Sequence, residues 1–144
     1  MKSTGFFFAV AAAITWGLVY TLDQRILDRF SPVSLLFVNS LLSLLLTAPL
    51  LLWRNGEFGG LLTTAREHYR LVAGSLVLGM IANFFIYSAI QQLGASVASI
   101  FEITYPFFVV AFGAMFWRQE VTIPFIVGAF LILGGVVLIV RWGT

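Results

Sequence analysis

From Arg70 to Glu102 the chain runs 31 residues without a charged side chain. The hydrocarbon core of a bilayer is crossed by about 20 apolar residues in a helix, so this run is too long for one span. A chain of 144 residues that is 60% apolar and 10% charged, with a mean hydropathy of +1.02, cannot hide that surface from water. A soluble domain is nearer half apolar and a quarter charged. Lipid must be the solvent for most of the chain, and the fold class expected is an all-α bundle of five transmembrane helices in a single membrane domain, 1–144.

The charges divide the chain into those helices. The first span fits between Lys2 and Asp23, about 5–22, and a polar connection, Asp23 to Arg29, follows it. Phe6–Ala13 has the look of a signal peptide, but the apolar run continues to Leu22 and four more spans follow, so it reads as a retained helix. Ser31-Pro32 is an N-cap with proline at the first helical position, opening a second span of about 33–53. Arg54 to Arg70 is the longest hydrophilic stretch, with a short interfacial turn expected near Thr63–His68. The long uncharged run divides at Gln91-Gln92-Leu93-Gly94 into spans of about 71–91 and 95–117. Thr122 caps the last, about 122–141, with Pro124 in its first turn.

If loops alternate sides, Lys2, Arg54, Arg66, Arg70 and Arg118 lie on the amino-terminal side and Arg25, Arg29 and Arg141 on the other. Five against three points to a cytoplasmic N-terminus. Trp53, Trp117 and Trp142 each adjoin an arginine at a span end, as an aromatic belt requires. Trp16 lies well inside the first span, and the belt does not account for it.

Composition removes several classes of function. There is no cysteine, so disulfides and thiolate metal sites are excluded, and no metal site or cofactor is expected. One histidine, His68, lies in a loop, and no acidic pair falls within an assigned span, which leaves little from which to assemble catalysis. A net charge of +2, dispersed along the chain, gives nucleic acid no footprint.

Glu102 is the most informative residue, about seven residues into the fourth span. An ionisable group at that depth costs roughly 2.5–3.5 kcal/mol on insertion scales and is a functional residue by default. One reading is a proton-carrying or substrate-binding carboxylate facing a cavity, with Tyr105 beside it. The other is a later helix start, with Glu102 near the interface or paired with an arginine. Pro106 favours the first: it removes the hydrogen bond to the carbonyl four residues back, that of Glu102 itself. Transporters use such intramembrane breaks to bind substrate, although a kink can be merely structural.

The third span carries Ser75, Gly79, Asn83, Tyr87 and Gln91 at spacing four, and the second carries Asn39, Ser43 and Thr47. Small and polar residues of this kind also join helices, so Asn83 and Tyr87 stand equally as cavity lining and as glue. Trp16 and Tyr20, four apart, can form aromatic walls for a substrate or simply pack. Gly128 and Gly135 share a face of the last span and suit an oligomer contact.

With these residues in place, the chain resembles one repeat of the EamA-like family in the drug/metabolite transporter superfamily. The likeness rests on Trp16-Gly17, on Tyr87-Ser88-Ala89-Ile90 with Leu93-Gly94-Ala95-Ser96 and Ala98-Ser99, and on Tyr105-Pro106-Phe107. It continues through Phe116-Trp117-Arg118-Gln119-Glu120-Val121-Thr122 and Gly128 to Val136. Members of that family typically have ten helices in two five-helix halves of opposite orientation, and commonly export amino acids or other small metabolites without ATP. The resemblance therefore implies a secondary transporter of a bacterial or archaeal cell membrane, completed by an antiparallel homodimer or by a heterodimer with a separate inverted half. Substrate would be a small metabolite, amino acid or drug-like molecule, moved by alternating access, with proton coupling through Glu102 as a further expectation. Glu120 matches a position the family often fills with glutamate and reads as an interfacial cap. The alternative is a membrane subunit that does not transport and pairs with an opposite-facing partner.

Overall fold

The structure is a computed structural model, and it describes residues 2–54 and 57–142. Among the described residues there are seven helices in chain order: α1 (Lys2–Leu27), α2 (Pro32–Trp53), α3 (Glu57–Glu67), α4 (Tyr69–Leu93), α5 (Ala95–Glu102), α6 (Tyr105–Trp117) and α7 (Ile123–Trp142). Five stretches are long and apolar enough to cross a membrane, the fourth being α5 and α6 taken together as Ala95–Trp117. The five-helix membrane bundle expected from the sequence is the fold found.

Two local signals behave as their chemistry requires. The Ser31 hydroxyl accepts from the Ser34 backbone N–H at 3.1 Å, with Pro32 at the first position of α2. Gly94 ends α4 by donating its N–H to the Ile90 carbonyl at 2.9 Å and begins α5 by accepting from Ala98 at 3.1 Å. Its backbone, at φ 82° and ψ 158°, lies in a region that glycine alone enters cheaply.

Three expectations need correction. The stretch from Asp23 is not a polar connection at first: α1 continues through it to Leu27, because Asp23 and Leu27 are both buried against neighbouring helices. In place of a short turn near Thr63–His68 stands the 11-residue helix α3. The fourth span is not one kinked helix but two segments, interrupted at Ile103 and Thr104.

The core lies at one end of the bundle. Tyr20 and Leu27 of α1, Leu35 of α2, Tyr87 and Ile90 of α4, and Ala95 and Ala98 of α5 form a single buried cluster. The two alanines let α5 approach α1 and α4 closely, as small residues do between membrane helices. Away from this cluster the long apolar side chains of α1, α2, α6 and α7 point outward, as lipid-facing surfaces do.

Candidate functional site

The site grows from one face of α1. Trp16, Tyr20, Asp23 and Leu27 recur at spacings of four, three and four, which stacks them along a stripe. Trp16 is half-exposed at 52%, whereas Tyr20, Asp23 and Leu27 are buried. The Trp16 and Tyr20 rings lie 5.6 Å apart, tilted at 58°, within the range of a favourable aromatic pair.

Across from this stripe α5 ends at Glu102. The helix stops there for a covalent reason: Pro106 has no N–H to return to the Glu102 carbonyl. The chain instead passes through a tighter turn, with the Thr104 N–H and hydroxyl both donating to the Phe101 carbonyl, at 3.2 and 2.8 Å. The Tyr20 hydroxyl donates to Glu102 Oε2 in a short hydrogen bond. An intramembrane carboxylate and a phenol from another helix therefore meet beside a helix break and an aromatic wall.

A second polar pair lies on α2 and α4. Asn39 Nδ2 donates to the Tyr87 hydroxyl at 2.6 Å, and Tyr87 is 2% exposed. Tyr20 and Tyr87 share one buried cluster, Glu102 joins it through the Tyr20 hydroxyl, and Asp23 is buried one turn along α1 from Tyr20. Two amides stitch the end of this cluster. Gln24 Oε1 accepts the Ala95 N–H at 2.9 Å, satisfying a free donor at the start of α5. Gln91 Nε2 donates to the carbonyls of Leu27 at 3.0 Å and Phe30 at 3.3 Å, tying α4 to the α1–α2 turn.

The structure thus brings together Tyr20, Tyr87 and Glu102, with Trp16 at the rim. It does not bring in the other two residues named as binding candidates. The Asn83 amide turns back to the Gly79 carbonyl of its own helix at 2.9 Å. Tyr105 is 60% exposed at the start of α6 and makes no side-chain hydrogen bond among the described residues. Pro106 lies at the break and also lines a mostly apolar cavity of about 280 Å³ between the break and α7, which Gly128 lines from the other side. A Cβ at Gly128 or Gly135 would meet nothing within 4 Å.

Asp23 is the residue that the sequence reading misses. Placed outside the first span by its charge, it lies inside a helix long enough to enclose it, at 5% exposure. The first and fourth spans therefore each contain one acidic residue, Asp23 and Glu102. The available signal was the helical spacing from Trp16 and Tyr20, which a cut at the first charge discards.

Architecture and site together define a multi-pass α-helical membrane protein with carboxylates and phenols inside its bundle. The sequence profile of the EamA-like transporter family matches residues 3–141, and the chain belongs to that family. No match was found among curated proteins or among solved structures.

Proposed function

We propose that this five-helix unit is a secondary transporter that exports a small amine-bearing metabolite, amino acid or drug-like molecule from a bacterial or archaeal cell. The observation that carries the reading is the Tyr20–Glu102 pair, held beside the helix break at Ile103 and Thr104 and next to the Trp16 ring. A carboxylate with an adjoining aromatic face attracts an ammonium group by charge and by the ring quadrupole. Tyr20 holds the carboxylate until substrate competes for it. The half-exposed Trp16 marks where the site opens away from the core.

One five-helix unit offers one wall of such a pathway. The opposing wall comes from a second unit inserted the other way up, an antiparallel copy of this chain or an inverted relative, and rocking of one unit against the other alternates access. Gly128 and Gly135, with open space beside them, give α7 a face on which another helix can approach closely.

The test is flux into proteoliposomes across a panel of amines and amino acids, under an imposed proton gradient, for the wild-type chain and Glu102→Gln. The expected result is flux of at least one amine-bearing compound and its loss in Glu102→Gln, by ~10-fold or more for a charge-assisted contact worth about 1.5–3 kcal/mol. Equal flux in the two proteins removes Glu102 from the site. No flux of any compound by the wild type favours the subunit that does not transport.

A further inference from the structure

The two carboxylates of the cluster are served unequally. Glu102 Oε2 accepts the Tyr20 hydroxyl, whereas Asp23 Oδ2, on a residue 5% exposed, has no hydrogen-bond partner among the described residues. A buried anionic oxygen without a donor is among the most costly arrangements a protein can hold. As an oxygen of a neutral carboxylic acid it needs far less. The groups facing Asp23 supply no compensating charge: α1 presents Tyr20, α4 presents Tyr87, and α5 presents Glu102 beyond Tyr20, which is itself acidic. α2 reaches the cluster through the neutral Asn39, already donating to Tyr87. Arg25 and Arg29 follow on the chain but are exposed and give Oδ2 no hydrogen bond.

We propose that Asp23 is a proton-binding site inside the bundle, and that it holds the proton in this conformation. A proton satisfies this oxygen as it stands, whereas a metal ion requires several converging oxygens, and no group of three or more His, Cys, Asp or Glu that could hold one is found among the described residues. Its burial gives the site a mechanical consequence. Water reaches Asp23 only when α1 parts from the helices packed over it, so taking up or releasing the proton is tied to opening of the bundle. The reaction is simple to balance: the Asp23 O–H breaks, the proton passes to water, and the carboxylate left behind must gain a donor, for which the Tyr20 hydroxyl becomes free once substrate takes Glu102 from it. That last link rests on the transporter reading; the occupancy of Asp23 does not.

Infrared spectroscopy of the purified protein in lipid tests the occupancy without substrate or flux, so it fails independently of the proposed transport. The probe is the C=O stretch of a protonated carboxyl group at neutral pH, read as the difference between protein with unlabelled and with ¹³C-carboxyl aspartate. Asp28 is the chain's other aspartate and is exposed at the α1–α2 turn. The expected result is an isotope-sensitive band at neutral pH that persists in Asp28→Asn and Glu102→Gln and is absent in Asp23→Asn. Absence of the band from the wild type, or its loss in Asp28→Asn alone, overturns the proposal. The labelled wild type and Asp28→Asn decide the matter even if Asp23→Asn does not fold.

Discussion

The end of the bundle where α1 passes to α2 and α4 to α5 differs sharply from the end that carries α3 and the Arg118 turn. At the first, Tyr20, Leu27, Leu35, Tyr87, Ile90, Ala95 and Ala98 form a continuous core. Gln24, Gln91, Asn39 and Glu102 bond between segments around it. At the second, Phe6 to Phe8, Leu44 to Leu46 and the stacked rings of Phe112 and Phe116 are exposed. Lipid tails are as apolar as leucine, so burying a leucine between helices gains little from hydration. Close packing of small residues and hydrogen bonds between polar ones hold membrane helices together instead, and both are concentrated where the candidate site lies.

That contrast can be broken most sharply by removing packed volume at each end. Ile90→Ala, at a position 1% exposed, is expected to destabilise the protein by about 2–4 kcal/mol. Leu45→Ala, at a position 59% exposed on α2 toward the α3 end, should shift stability by less than about 0.5 kcal/mol. Reversible unfolding in mixed micelles measures both, and similar losses would mean that the two ends share one core.

Gly94→Ala comes next, at about 1–3 kcal/mol, because φ 82° with ψ 158° strains any residue that has a Cβ. The side chain itself has room, with Gln24 3.9 Å away, so Gly94→Ser should cost as much as Gly94→Ala in the same unfolding assay. A markedly greater cost for serine would point to a clash instead of backbone strain.

Tyr20→Phe sharpens the comparison within the cluster. It strips Glu102 of its donor while leaving the ring beside Trp16, and a loss of about 1–2 kcal/mol is expected for a bond to a charged group between membrane helices. The smallest effect is that of the neutral pair: a double-mutant cycle of Asn39→Ala and Tyr87→Phe should give a coupling of about 0.6 kcal/mol. A larger value for the neutral pair than the whole Tyr20→Phe loss would reverse the ranking proposed for the two contacts.

The sequence was legible wherever a rule acts on neighbouring residues. Charge spacing located five spans, Ser31-Pro32 opened α2, and Gly94 divided the longest apolar run. The proline at 106 pointed to a break just after Glu102, although the chain there separates two segments instead of bending one. What could not be read depends on partners distant in sequence. Asp23 looked like a loop residue until α4 and α5 were folded over it. Tyr87 and Asn83 were indistinguishable on their helix, yet one meets α2 and the other bonds to its own backbone. Gln24 had no evident role before the start of α5 was brought against it.

The most direct test of the central claim compares two side chains that are both exposed on the isolated unit but differ in what should cover them. With no native cysteine as background, Trp16→Cys, Phe130→Cys and Asp28→Cys would each be exposed in the membrane to a water-soluble, impermeant maleimide, applied from either side. Trp16 is 52% and Phe130 66% exposed, so exposure alone does not separate them. The account predicts labelling at 16, as at the loop position 28, and none at 130, because position 16 faces a water-filled pathway and position 130 faces lipid. Labelling at 28 with none at 16 from either side would contradict the pathway and, with it, the transporter reading of this site.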